Sequence, residues 1–234
     1  MDAFPWLARL GRFVFPPRCL LCGAAGAGGI ELCLGCTAAL PLNSHACPRC
    51  ALPRRPLSSS SCEACARRLP PWRSAWVPFR YAWPLDLLEA RFKFGGNLVA
   101  GKVLAHRWIA AGPPPSLPDA IVPVPLHVAR LRQRGFNQAL ELVKPVAKHF
   151  GVPLAPRLLR RVRMTEAQSD LDAEARATNV RGAFVARPGS LPTHVAVVDD
   201  VMTTGATLAA CVEALHAAGV QRVDVWALAR TLKS

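Results

Sequence analysis

Eight cysteines arranged as four C-x-x-C pairs constrain this chain more than any other feature of it. The pairs are Cys19/Cys22, Cys33/Cys36, Cys47/Cys50 and Cys62/Cys65, separated by ten, ten and eleven residues. A C-x-x-C turn presents two sulfurs on one side of a tight loop, and two such loops complete a tetrahedral S4 site. The simplest pairing puts Cys19, Cys22, Cys33 and Cys36 on one structural zinc and Cys47, Cys50, Cys62 and Cys65 on a second. Spacing alone leaves an interleaved pairing open. Iron–sulfur is the competing reading, but these spacings match neither common ferredoxin pattern. A lone C-x-x-C suits redox work; four within 47 residues suit metal. The ninth cysteine, Cys211, sits in the apolar run LAACVEAL and reads as a core residue.

In a small secreted chain the same cysteines would suggest a disulfide framework. The start, MDAFPWLARLGRFVF, argues against export, because Asp2 precedes an apolar run broken by Arg9 and Arg12. No uninterrupted apolar stretch reaches the roughly 18–20 residues of a membrane span. A cytoplasmic protein without a membrane span is the expectation.

Charge narrows the partners. The chain carries 29 Lys and Arg against 15 Asp and Glu, a net of +14. Eight thiolates and two Zn2+ would together remove four charges and leave it near +10. Such a surplus favours polyanions: nucleic acid, phosphorylated metabolites or an anionic membrane face. Disorder is excluded, since 51% of the residues are apolar and mean hydropathy is +0.21.

Residues 1–70 read as a metal-held module short of long periodic segments, and residues 71–234 as an α/β domain. SAWVPFRYAW is rich in β-favouring residues and predicts a strand. LDLLEARFKF has helical spacing and stops at Gly95-Gly96; Asn97 caps a second helix that ends at Gly112. DAIVPVP is a short apolar strand. Asn137 opens the helix QALELVKPVAKHF, closed by Gly151, with a kink expected at Pro145. RLLRRVR, GAFVA, THVAVV and RVDVWALAR are strand candidates, and TLAACVEALHAA is a helix ending at Gly219. Alternation of apolar strands with helices predicts a parallel sheet covered on both faces.

The segment VAVVDDVMTTGAT, residues 195–207, carries the most chemistry. Its apolar strand delivers Asp199 and Asp200 to the carboxyl edge of the sheet. Thr203, Thr204, Gly205, Ala206 and Thr207 then turn into a helix. Gly205 permits close approach of backbone to ligand, and successive N–H groups at a helix start form an anion nest. The loop suits a phosphate; the carboxylates suit sugar hydroxyls or Mg2+. It is not a P-loop, because the lysine of that motif is missing.

This segment resembles the PRPP-binding signature of type I phosphoribosyltransferases. With FPPRCLLCG, CPRC, VPVPLHVARLRQRGFNQA and QSDLDAEARATNVRGAF in the same order, the chain is similar to the ComF family. These are bacterial competence proteins that join a double zinc ribbon to such a domain. The resemblance implies a parallel α/β sheet of type I phosphoribosyltransferase type after a small cysteine-rich double zinc ribbon. By position, Asp199 and Asp200 match the pair on the ribose hydroxyls, and Thr203, Thr204, Gly205, Ala206 and Thr207 the 5′-phosphate loop. His127 closes the segment where the pyrophosphate loop sits, and Arg132 and Arg134 lie just beyond it. Gln168, Ser169, Arg176, Asn179 and Arg181 match the hood over the donor. Mg2+ is expected with PRPP. Thr203 stands where hypoxanthine-type enzymes carry an aspartate, and Ala173 and Thr178 where relatives often carry arginine. No base specificity therefore carries over, and no catalytic residue is assigned.

Expelling pyrophosphate builds positive charge on the sugar, so such a site must hold a multiply charged leaving group and exclude water. Two functional classes stay open. In one, the chain supports DNA uptake by binding a phosphoribosyl ligand or single-stranded DNA, alongside the uptake machinery. In the other, it transfers ribose 5-phosphate from PRPP to an unidentified base or amine. Residues 127–181 hold eleven Lys and Arg against five Asp and Glu, a net of +6. Trp72, Trp76 and Trp83 interleave with Arg67, Arg68, Arg73 and Arg80, which suits stacking on single-stranded bases and equally suits strand-core packing.

Overall fold

A computed structural model describes residues 16–54, 62–163 and 180–232. After the cysteine-rich segment, with its one-turn helices α1 (Leu34–Ala38) and α2 (Glu63–Arg67), come the short strands β1 (Ala75–Trp76) and β2 (Phe79–Arg80). Helices α3 (Leu85–Lys93) and α4 (Leu98–Ala110) lead to β3 (Ala120–Pro123). Then follow α5 (Val128–Arg134), α6 (Gln138–Phe150), β4 (Leu159–Arg161) and β5 (Phe184–Ala186). The chain closes with β6 (His194–Met202), α7 (Ala206–Ala217) and β7 (Arg222–Arg230).

The main sheet is parallel, in the order β3-β6-β7-β1, with β2 also on β7. Its strands are apolar on both faces because both are covered. On one face Leu88, Phe92, Leu104, Trp108 and Leu142 of α3, α4 and α6 pack against Trp76, Ile121, Val198 and Trp226. On the other, Leu208, Cys211, Val212 and Leu215 of α7 pack against Val122, Val195, Val197 and Val225. Cys211 is thus the core residue expected, and burial pushes its thiol well up.

The predicted helices stand with their caps. The side chains of Asn97 and Asn137 accept from the N–H groups of Ala100 and Leu140, and Gly151 closes α6 in the left-handed region. Helix α6 runs through Pro145.

Two strand predictions differ. SAWVPFRYAW forms two short pieces, both parallel to β7, with Pro78 between them because proline has no N–H to give a ladder. RLLRRVR and GAFVA do not join the parallel sheet: β4 and β5 pair antiparallel with each other, as a ribbon against α7. Among the described residues no helix is long and apolar enough to cross a membrane.

The cysteine-rich segment docks on the outer edge of the sheet. Asn43 N–H donates to Pro78 C=O and Arg80 N–H to Pro41 C=O, while the Asn43 amide donates to Ala51 and Val77. These bonds cover the strand edge that β1 and β2 would otherwise expose.

Candidate functional site

The eight cysteines gather as two groups, Cys19, Cys22, Cys33, Cys36 and Cys47, Cys50, Cys62, Cys65, with the sulfurs of each within 4.8 Å of one another. Cys22 lies 3.7 Å from both Cys33 and Cys36; Cys47–Cys65 is 4.0 Å and Cys50–Cys62 is 3.2 Å. A zinc tetrahedron with Zn–S bonds of about 2.3 Å has edges of about 3.8 Å. The donor set fits structural zinc, and sequential rather than interleaved pairing is what the fold builds. The second pair of each group opens a one-turn helix, α1 after Cys33 and α2 after Cys62, and in the first the Cys33 sulfur accepts from Cys36 N–H at 3.4 Å. Burial opposes ionisation of Cys19 and Cys47, yet backbone hydrogen bonds bring both down to about 6.

The second feature is an open cavity of about 860 Å³ at the carboxyl edge of the sheet. Strand β6 brings Asp199 and Asp200 to the cavity, and the loop and helix that follow line it with Thr203 and, on α7, Thr207. Lys93, the last residue of α3, reaches in from the side. Its ammonium stands 3.1 Å from Asp200 and 3.3 Å from Glu89, and the Tyr81 hydroxyl donates to the other oxygen of Glu89 at 3.3 Å. Arg130, Arg134 and Arg161 also line the cavity.

Electrostatics divides the carboxylates. Burial and then the charge of Asp200 push Asp199 well up. Asp200 is held down in spite of its burial, because Lys93 pairs with it. Burial also raises Glu89, and burial with Glu89 beside it lifts Tyr81 to about 12. Lys93 is raised by Asp200 and Glu89 against its own burial. The guanidinium groups repel one another: burial and then Arg134 lower Arg130, and burial and then Arg130 lower Arg161. A cavity whose cations depress one another is matched to an anion of several charges.

The loop is built as a left-handed turn. Gly205 has φ +81° and begins α7, and the Thr204 hydroxyl accepts from Ala206 N–H at 3.3 Å. A Cβ on Gly205 would stand 3.0 Å from the Trp72 ring and 3.2 Å from the Met202 methyl. The glycine is therefore required by its backbone and by Trp72 packed beneath it, whatever it also does for a ligand.

Residues 10–66 match the double zinc ribbon domain family and residues 138–234 the phosphoribosyl transferase domain family. The DNA utilization protein YhgH of Escherichia coli K12 is 34% identical over 228 residues, 93% of this chain and 98% of the relative. Its Salmonella typhi counterpart is 35% identical over 210 residues, 86% of this chain and 91% of the relative. Competence protein F of Haemophilus influenzae is 34% identical over 178 residues, 72% and 78% of the two chains.

The chain belongs to the ComF family.

Of the positions that the ComF resemblance marked, Asp199, Asp200, Thr203, Thr207 and Arg134 come together on the cavity. Thr204, Gly205 and Ala206 form the turn between its two threonines. His127 and Arg132 are not on the cavity wall. His127 instead caps α5, its Nδ1 accepting from Ala129 N–H at 3.3 Å, and Arg132 is exposed. Arg181 is exposed, its carbonyl accepting from Arg163; Gln168, Ser169, Ala173, Arg176, Thr178 and Asn179 lie outside the described residues. Sequence reasoning missed Lys93, Arg130 and Arg161. The short basic helix α5 was the available signal for Arg130, since its i, i+4 spacing from Arg134 puts both on one face. Trp72 and Trp76 are buried, which removes them as stacking platforms; Trp83 is exposed.

Proposed function

We propose that the cavity binds PRPP or a related phosphoribosyl ligand, and that this binding serves DNA handling during uptake, in keeping with the names of the relatives. The observation that carries the reading is the pairing of opposites in one cavity: Asp199 and Asp200 with Lys93, Arg130, Arg134 and Arg161. A free phosphate needs no carboxylate, and a neutral sugar needs no cluster of guanidinium groups. A phosphorylated, pyrophosphorylated ribose needs both.

In this reading the carboxylates take the 2′ and 3′ hydroxyls, while Thr203, Thr207 and the loop amides take the 5′-phosphate. Arg130, Arg134 and Arg161 take the diphosphate. Mg2+ accompanies the ligand, the oxygen donors of Asp199 and Asp200 suiting a hard cation that screens diphosphate from carboxylate. Residues 1–70, with two structural zinc ions, brace the sheet edge, and residues 71–234 carry the binding site. Single-stranded DNA is the second polyanion proposed, drawn by the net positive charge and the exposed Trp83.

Calorimetric titration with PRPP and Mg2+ tests the reading. Wild type binds with one site per chain, and Asp200→Asn and Arg134→Ala each weaken binding at least about tenfold, as loss of a charged hydrogen-bond partner requires. Absence of binding by wild type, or equal affinity in all three, refutes it. Incubation of the same mixture with a panel of bases reads turnover separately.

A further inference from the structure

Three consecutive carbonyls of the turn Cys47-Pro48-Arg49-Cys50 face the α/β domain, and each is taken by it. Pro48 C=O accepts from Ala75 N–H of β1 at 2.8 Å. Arg49 C=O accepts from the Trp72 indole N–H. Cys50 C=O accepts from Arg230 Nε at 3.0 Å. The Arg49 side chain returns the grip, donating to the carbonyls of Arg73 at 2.8 Å and Pro70 at 3.2 Å on either side of Trp72.

Two of those partners end at the threonine loop. Arg230, the buried last residue of β7, donates from its Nη1 to Met202 C=O at 3.0 Å and to Thr203 C=O. One guanidinium thus holds a zinc-ligand residue with one nitrogen and the first residue of the loop with another. Trp72, itself buried, lies against Gly205, the residue that turns the loop into α7. The first zinc group has a different neighbour: Leu20 C=O, inside its Cys19/Cys22 turn, accepts from Arg91 on α3.

We infer that the second zinc group is part of the phosphoribosyl site, with Arg230 and Trp72 as positioning residues through which it sets the shape of the Thr203–Thr207 loop. The physical argument is preorganisation. Zinc fixes the turn whose carbonyls anchor Arg230 and Trp72. These in turn fix a loop that contains a positive-φ residue and must place its amides and hydroxyls on a phosphate. Losing the metal leaves the same loop residues in place but makes the ligand order them. Coupling of this kind is reciprocal, so a bound ligand must also slow release of metal from this group and not from the first.

The inference rests on the phosphoribosyl reading, and the experiment separates the two. Titration of wild-type holoprotein with PRPP and Mg2+ comes first: no binding there overturns the reading, and the inference with it. With binding established, Cys50→Ser and Cys22→Ser each remove a ligand from one group, and metal content is counted with a chromogenic chelator. The dissociation constant is expected to rise about fivefold or more in Cys50→Ser, the range of ordinary allosteric coupling, and to rise less in Cys22→Ser. Arg230→Lys, which keeps the charge but cannot hold two elements at once, should weaken PRPP binding while retaining both zinc ions. If Cys50→Ser fails to fold, wild type supplies the same information. Chelator-driven release should be biphasic, and saturating PRPP should slow one phase alone. Equal losses in the two cysteine variants, or release kinetics untouched by PRPP, overturn the inference.

Discussion

Replacing Lys93 by methionine tests the electrostatic reading of the cavity at its least expected residue. Methionine keeps the length and the apolar stem of the side chain and removes only the ammonium. In the native protein that ammonium faces Asp200 and Glu89, which are 8% and 1% exposed, with Asp199 beside them. Breaking a buried pair by removing one partner costs roughly 3–5 kcal/mol, because the surviving charge is left desolvated. Lys93 keeps about a quarter of its side-chain surface, so the lower end, about 3 kcal/mol, is expected. For a chain of this size that corresponds to a fall in Tm of roughly 6–12 °C.

The pH dependence sharpens the test. Asp200, held down by Lys93, contributes stability that is present above the ordinary carboxylate pKa and is lost as pH falls through its depressed value. Without Lys93 the sign reverses: burial pushes Asp200 up, and the penalty is full at pH 7 and shrinks as falling pH protonates it. Thermal melts of wild type and Lys93→Met at pH 7 and pH 5, followed by tryptophan fluorescence, should therefore show a gap that narrows in acid. A gap of the same width at both pH values would mean that Lys93 works by packing alone, and no gap would remove the ion pair from the argument.

Other outcomes follow from the same geometry. Elemental analysis of protein never exposed to chelator should give two zinc ions per chain, and stripping them should unfold residues 19–65, which have little apolar core of their own. Gly205→Val should destabilise the ligand-free protein by about 1–3 kcal/mol, measured by denaturant melts, since it places a β-branched residue at φ +81° against Trp72. PRPP with Mg2+ at about 100 times its dissociation constant should stabilise wild type by roughly 2.7 kcal/mol, and omission of Mg2+ should remove most of the melting shift. Affinity for single-stranded DNA, read by fluorescence anisotropy, should drop steeply between about 50 and 200 mM salt; a flat response would exclude phosphate contacts as its source.

Much of this was legible because it is local. C-x-x-C spacing, the caps at Asn97 and Asn137, and the apolar run into Asp199 and Asp200 each depend on neighbours a few residues apart. What stayed hidden depends on distant ones. Lys93 ends an amphipathic helix, where a lysine is expected merely as a partner of the helix dipole; its role arises only because α3 packs beside β6, more than a hundred residues later. Arg161 sits in a strand candidate whose pairing partner the sequence did not indicate. Only its antiparallel pairing with Phe184 and its neighbours turns it toward the cavity. His127 has a use the motif did not show: the residue that the resemblance placed at the pyrophosphate loop also caps a helix, its ring accepting from Ala129 N–H.

The long-range contacts also give the cysteine-rich segment a reason to precede an α/β domain. A parallel sheet ends in edge strands, and here the edge is made of β1 and β2, two residues each and interrupted by Pro78. Strands so short cannot hold the edge by their own ladders. They are held instead by Pro41, Asn43 and Pro48, all in the cysteine-rich segment. The edge matters because β7 lies directly inside it and ends in Arg230, whose guanidinium fixes the carbonyls of Met202 and Thr203. Metal sites, edge strands and loop therefore form a chain of contacts in which each link is too small to be stable without the next. A variant that loosens the edge without touching metal or loop, such as Asn43→Ala with its two amide bonds to Ala51 and Val77 removed, should weaken both zinc retention and PRPP binding. Two lost hydrogen bonds to buried carbonyls correspond to about 2 kcal/mol, enough to be read in a melt. If Asn43→Ala loses that stability yet keeps wild-type affinity for PRPP, the edge and the loop are independent and the contact chain carries no function.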